Sequence, residues 1–451
     1  MNKGDVPHVI ENKLSQYASK KAAVCRQNDT IDPQLYQAFG VKRGLRDENG
    51  KGVLAGLTNI STIISSKTVN GQKVSCDGEL WYRGRRVEEL IDSLGDSLGF
   101  ERIAYLLLMG QMPSEEEALE FSSLIGECRI LPSNFTRDVI MKAPSKDIMN
   151  SITRSILTLA SYDESVTDTD VQSTLMQCIR LISEFPLLAV YAYHAYNYSE
   201  NMESMIIHRP SPTLSTAENF LMMLRPDRSY TPTEAKVLDT ALILHMEHGG
   251  GNNSTFTTRV VTSSGSDTYS TMAAAMSSLK GPRHGGANIK VMEMMADIRA
   301  HVADPYDTEE VGAYLSKIID KEAFDRKGLV YGMGHAVYSL SDPRERVFRS
   351  YVDRLAQEKG RMRDLALYKS VEAQAPELIA KHRRIYKGVS PNVDFYSGFV
   401  YDMLGIPQEL YTAMFAIARI VGWSAHRIEE IICMDKIIRP AYMSVLEEIP
   451  K

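Results

Sequence analysis

Thr231-Pro232-Thr233-Glu234-Ala235-Lys236-Val237-Leu238-Asp239-Thr240-Ala241-Leu242-Ile243-Leu244-His245-Met246-Glu247-His248-Gly249 is written as a helix from its start signal to its stop signal. Thr231 and Glu234 stand at capping-box spacing, and Pro232 takes the first helical position, where its missing N–H costs nothing. Ala235, Leu238, Ala241, Leu242 and His245 recur at three- and four-residue intervals. Gly249 is placed to end the helix just after His248. The same grammar recurs along the chain: Ser114-Glu115-Glu116-Glu117 after Pro113 is a second capping box, and Asp342-Pro343-Arg344-Glu345 opens a helix to Gly360 with Arg344 in its first turn. The exception lies between Gly56 and about Arg83, where Thr58 to Ile64 and Val74 to Tyr82 read as two short strands around Asn70-Gly71. An all-α fold with a small N-terminal β-hairpin is expected. Gly- and Pro-bearing breaks near 281–286 and 387–391 are candidate hinges.

Composition limits the function. The 451 residues have room for about two to three domains. A net charge of −6 offers no global basic surface for nucleic acid, so an anionic ligand must be met by local arginines. Five scattered cysteines (Cys25, Cys76, Cys128, Cys178, Cys433) without a CxxC read as free structural thiols in a reducing compartment. The N-terminal stretch has neither a signal-peptide core nor a transit-peptide composition, and no apolar run reaches about 18 residues. A cytoplasmic protein without membrane or nucleic-acid partners is expected.

Three segments carry ionisable residues that packing alone would not ask for. They are Gly281-Pro282-Arg283-His284-Gly285-Gly286-Ala287-Asn288, Gly332-Met333-Gly334-His335 and Pro391-Asn392-Val393-Asp394-Phe395-Tyr396-Ser397-Gly398. Glycines beside each histidine let a ligand approach the backbone closely, and apolar neighbours desolvate the aspartate. The set suits carbon-acid chemistry, in which a carboxylate takes a C–H proton while imidazoles donate to the oxygens where charge develops. His284 precedes a helix beginning near Ala287, whose N-terminus disfavours an imidazolium; a capping or turn histidine is the plain alternative. Asp394 falls early in a helix from about Asn392 to Gly405, where the dipole lowers its pKa and apolar neighbours raise it, with the net sign open. From Leu410 to Trp423 the chain is apolar apart from Thr412 and Arg419, so the guanidinium needs either an internal acid or a ligand carboxylate. His245 and His248 beside Glu247 resemble a metal pair on one helical face, but zinc wants a third ligand and the zincin motif spaces its histidines four apart. No metal is expected, and a metal-dependent hydrolase built on His245 and His248 is the rival reading of another class.

The order and wording of these segments resemble the citrate synthases, together with Leu244 to Thr255 and Ala418-Arg419-Ile420-Val421-Gly422-Trp423, over roughly residues 44 to 445. The resemblance implies a two-domain helical fold: a large domain from 1–285 and 406–451, with a small domain, 286–405, inserted. It implies condensation of acetyl-CoA with oxaloacetate and water to citrate and CoA, the entry to the tricarboxylic acid cycle, or the same chemistry on propionyl-CoA as a 2-methylcitrate synthase. Asp394 would be the base, His284 would stabilise the enol, and His335 would serve the oxaloacetate carbonyl. His248, Arg344, Arg419 and Arg439 would bind oxaloacetate, Arg439 from the partner subunit of a homodimer. The loop Leu329, Val330, Tyr331, Gly332, Met333 and Gly334 would receive coenzyme A, with no tightly bound cofactor. The stretch departs from the family's pattern at Met333, Ala336 and Ser339, which bears on coenzyme grip and acyl preference.

Overall fold

The computed structural model describes residues 8–47, 51–334, 338, 340–383, 389–433 and 436–445. The chain divides into two compact units, one up to Gly56 and one from Leu57 onward. The first holds α1 (His8–Asp29) and α2 (Pro33–Ala38). Asp32 caps α2 by accepting the Gln34 N–H at 2.9 Å, and Ile10, Leu14 and Tyr17 of α1 are exposed.

The second unit opens with the expected hairpin, β1 (Ser61–Val69) and β2 (Gln72–Tyr82), paired antiparallel with a bulge between Ile64 and Ser66. Asn70 and Gly71 turn it at φ 51° and 77°, the left-handed pair that a two-residue hairpin turn requires. A short β3 (Arg85–Arg86) lengthens the sheet beside β2. Helices follow almost without interruption: α3 (Val87–Leu94), α4 (Phe100–Met109), α5 (Glu115–Glu127), α6 (Ile148–Leu159), α7 (Val171–Glu200), α8 (Thr216–Leu224) and α9 (Pro232–His245). Next come α10 (Asn253–Ser263), α11 (Thr268–Leu279), α12 (Ala287–His301), α13 (Thr308–Ile319) and α14 (Pro343–Glu358). α15 (Met362–Arg383), α16 (Val393–Met403) and α17 (Tyr411–Cys433) complete the unit.

Capping boxes form at Ser114 and Thr231 as their spacing predicts, and a further one forms at Ser215. The stop of α9 differs from expectation. The helix ends at His245, so Glu247 and His248 lie in the turn beyond it and the two histidines do not share a helical face. At this end the Tyr82 hydroxyl from β2 donates to the Ile243 carbonyl at 3.0 Å and lies 3.2 Å from that of Glu247, tying the turn after the helix to the hairpin.

α7 and α17 pack along one another, and α17 also meets α4, α9, α10 and α11. By length and composition α7 is apolar enough to cross a membrane, yet 83% of that window is buried inside the protein, as in a core helix. Gly422 lets α17 approach the α9 turn; a Cβ there would stand 2.3 Å from the Met246 carbonyl oxygen. Further along the chain α12 packs on α13 and α16, α13 on α15, and α14 on α15 and α16.

Candidate active site

Arg419 sits in the middle of α17 and is only 3% exposed. Its Nε donates to the His245 carbonyl at 2.6 Å, while Nη1 has no hydrogen-bond partner among the described residues. Burial pulls its pKa down, and Glu247 is the first charge opposing that. A buried guanidinium with an unused edge is costly unless something anionic meets it, and among the described residues no carboxylate forms an ion pair with it.

His284 occupies the turn between α11 and α12. Gly285, next to it, is held where a Cβ would lie 2.4 Å from the Leu279 carbonyl oxygen and 2.9 Å from Thr412 of α17, so only glycine lets this loop close on α17. α12 begins at Ala287, as expected, and the ring also meets the start of α10: the Ser254 N–H donates to His284 Nε2 at 3.4 Å, and Ser254 Oγ lies 3.0 Å away. Trp423 Nε1 and Asn252 Oδ1 fix that hydroxyl. Burial, then the field of Arg419, lowers the imidazole to a pKa of about 4. A neutral ring whose Nε2 accepts an N–H carries its proton on Nδ1.

Asp394 is the second residue of α16, capped by Asn392, whose Oδ1 accepts the Asp394 N–H at 3.0 Å. The open sign resolves upward, to a pKa of about 6, because burial outweighs Arg344; Asp342 adds to the rise and Arg419 opposes it. Arg344, in the first turn of α14, is clamped by Asp342 through Nε at 3.1 Å and Nη2 at 2.8 Å. Asp342 also accepts the Val393 N–H at 3.2 Å, which ties this arginine to the start of the Asp394 helix.

The Leu329–Gly334 loop is fastened to that helix start. Gly334 N–H donates to Ser390 O (2.7 Å), Asn392 N–H to Gly332 O (2.9 Å) and Asn392 Nδ2 to Gly334 O (2.8 Å). Gly332 and Gly334 adopt φ of 79° and 84°, and Tyr331 OH donates to Asp325 at 2.7 Å. His335 follows directly but lies outside the described residues, as do Ala336 and Ser339.

His248 is buried, its ring edge-on to Tyr338 at 5.6 Å. His245 is fully buried and stacked on Phe415 at 4.0 Å, and burial followed by Arg344 and Arg419 holds it neutral. Among the described residues no group of three or more His, Cys, Asp or Glu side chains is placed to hold a metal ion. Arg439 is not brought to this cluster; it lies on the exposed stretch 436–445.

Sequence reasoning missed the support behind the site. Glu247 Oε1 accepts from Ser61 Oγ at 2.8 Å and lies 3.0 Å from His426 Nε2; His426 Nδ1 accepts from Arg259, which pairs with Glu429 and Glu430. Burial opposes ionisation of Glu247, but His426, then Arg419 and Ser61, hold it down to about 2. His426 was findable, since a fully buried polar residue continues the apolar face of α17 just as Arg419 does.

The site is therefore a neutral histidine able to donate, a carboxylate of raised basicity, and two buried arginines. The family model "Citrate synthase, C-terminal domain" matches residues 45–441. A citrate synthase of Synechocystis is 34% identical over 370 residues, 82% of this chain and 85% of its own. One of Haloferax volcanii is 35% identical over 365 residues, 78% of this chain and 86% of its own. Among solved structures, citrate synthase of Pyrobaculum aerophilum aligns at TM-score 0.72 and 28% identity over 89% of this chain and 94% of its own. That of Thermoplasma acidophilum, described as a ternary complex with carboxymethyl coenzyme A and oxaloacetate, aligns at 0.74 and 27% over 91% and 97%. A family model over 45–441 and relatives more than 30% identical over about four-fifths of the chain agree: it belongs to the citrate synthase family of acyltransferases.

Proposed function

We propose that the chain condenses acetyl-CoA with oxaloacetate, Asp394 taking a proton from the acetyl methyl while His284 Nδ1–H donates to the thioester oxygen, so that the neutral enol attacks the ketone. His335 donates to the ketone oxygen as the carbon–carbon bond forms, and water then hydrolyses citryl-CoA to citrate and CoA. Oxaloacetate's two carboxylates meet Arg344 and Arg419, with His248 beside them. Arg439 reaches the site of a partner subunit, making the working unit at least a homodimer. The packing of α12 to α16 on one another supports 286–405 as the small domain, closing on 1–285 and 406–451 when oxaloacetate binds. The Leu329–Gly334 loop receives coenzyme A, and the setting is the cytoplasm and the tricarboxylic acid cycle.

One arrangement carries this reading: Asp394 at the start of α16 and His284 both lie in the field of the buried Arg419, whose Nη1 has no partner among the described residues, and their burial favours an ionised base beside a neutral donor. The deciding assay is CoA thiol release with acetyl-CoA or propionyl-CoA, each with and without oxaloacetate. Release from acetyl-CoA that requires oxaloacetate is expected. A higher kcat/KM with propionyl-CoA would make the chain a 2-methylcitrate synthase, and release without oxaloacetate would point to a thioester hydrolase.

A further inference from the structure

Away from the site, the ends of α5 and α6 and the faces of α7 and α11 line a half-open cavity of about 300 Å³. Its walls are mostly apolar, including Ile130, Leu131 and Leu159. At its inner side stands Glu184 of α7, a carboxyl only 7% exposed that has no hydrogen-bond or ion-pair partner among the described residues, although it lines open space. Asp163 and Tyr269 line the same space: Asp163 Oδ2 accepts from Tyr269 OH at 2.8 Å, and Oδ1 from Ser165 N–H and Oγ at 2.9 and 2.8 Å. Arg180, one helical turn before Glu184, is exposed at the rim, where water screens its charge.

We infer that this cavity binds a small organic cation, a primary ammonium or amidinium carried on an apolar or aromatic body. The acceptors favour it: the Asp163 carboxylate, the Glu184 carboxyl and a phenolic oxygen face one solvated arginine. The walls suit the body, and Tyr162 and Tyr269 present rings of the kind that attract ammonium groups. The volume is at the low end for small-molecule pockets, which sets the size of the ligand. A buried carboxyl without a partner escapes its desolvation cost by staying protonated. Burial does raise Glu184, to about 8, against the pull of Arg180. Asp163 remains ionised, held below its ordinary value despite burial by its Ser165 and Tyr269 hydrogen bonds. Entry of an ammonium then exchanges one cation for one proton: the Glu184 carboxyl releases H⁺ and the carboxylate pairs with the ligand's N–H⁺. The titratable groups that line the cavity with Glu184 are Arg180 on its own helix, Tyr269 on α11, Tyr162 and Asp163 before α7 and Cys128 after α5.

The test is calorimetric titration of the full chain at pH 7 with benzylamine, with benzyl alcohol as its neutral isostere, in two buffers of different ionisation heat. Expected are saturable binding of one benzylamine per chain, a heat that changes with the buffer because a proton leaves, and no saturable binding of benzyl alcohol. Glu184→Gln should weaken benzylamine at least about tenfold and abolish the buffer dependence, since one partner of a buried pair is lost. Ile130→Trp, at a position 71% exposed and therefore tolerant, should block the mouth without touching the acid. Absence of saturable benzylamine binding, equal affinity for benzyl alcohol, or binding unaltered in both variants would overturn the proposal.

Discussion

Replacing Asp394 with asparagine should cripple turnover and stabilise the fold at the same time. Burial lifts this carboxyl from its ordinary 3.8 to about 6, against the opposing Arg344. A carboxyl raised in the folded state binds its proton more tightly there than in the unfolded chain. Stability is therefore greatest below the unfolded pKa and declines as pH rises through the window from about 4 to 6. About two units at 1.36 kcal/mol each make the ionised side chain cost about 3 kcal/mol at pH 7, falling to roughly half of that by pH 5. Asp394 retains some contact with solvent, so about 2–3 kcal/mol is the range to look for. Asparagine keeps the shape and removes the charge. Denaturant unfolding of both proteins at pH 7 and pH 5 should show the variant more stable at pH 7, with the gap narrowing at pH 5. Thiol release should fall at least about 10²-fold, the low end for general acid–base catalysis, with oxaloacetate affinity little changed. A variant that is no more stable than the parent at pH 7 refutes the desolvation account; near-normal turnover refutes Asp394 as the base.

Gly422→Ala gains helix propensity but drives a Cβ to 2.3 Å from the Met246 carbonyl oxygen, so a net loss of about 1–3 kcal/mol in unfolding stability is expected, and a more stable variant would contradict the close packing. Arg419→Lys loses the planar fork that holds the His245 carbonyl and leaves Nη1 free for a ligand, so kcat/KM for oxaloacetate should drop about 10- to 100-fold; an unchanged value would remove Arg419 from the site. Mixing inactive Arg439→Ala with inactive Asp394→Ala under subunit exchange should restore activity toward about one-quarter, from one good site per mixed dimer; no recovery despite proven exchange assigns Arg439 to its own chain. Oxaloacetate would offset the Arg344 and Arg419 fields that pull Asp394 down, so with oxaloacetate saturating, the acid limb of the rate against pH should lie at or above about 6, and a limb near 4 would contradict the raised base.

Local signals in the chain were readable because their causes are local. The capping boxes at Ser114 and Thr231, the Asn70-Gly71 turn, the first-turn place of Arg344 and the isolation of Arg419 on an apolar helix each follow from residues within a turn or two. What escaped was set by tertiary neighbours. α9 stops at His245, and Tyr82 from the hairpin meets the Ile243 and Glu247 carbonyls there. The contact of His284 with the start of α10, through Ser254, joins residues thirty apart in sequence, and the ring is kept neutral by burial and then by Arg419 from α17. Glu247 and His426 gave no sign of each other until α17 was laid against the α9 turn through Gly422.

The sign of the Asp394 shift shows why such a quantity has to wait for the fold. Its own helix start and its flanking Phe395 and Tyr396 pull in opposite directions, and their balance is decided by Asp342 and Arg344 from the start of α14 and by Arg419 from α17. Desolvation penalises whichever form is charged, so one apolar surrounding makes an acid weaker and an imidazole less basic. Arg419 then separates the roles: after Arg344, its field opposes the rise at Asp394, and after burial it deepens the fall at His284. A lysine in its place would carry the same charge, but it has no rigid second edge with which to hold a carboxylate while remaining anchored to the His245 carbonyl. Arg419 thus acts on both groups, after the larger field of Arg344 at Asp394, and under the proposed function the same guanidinium would hold a substrate carboxylate, which would account for a cation carried within an otherwise apolar helix.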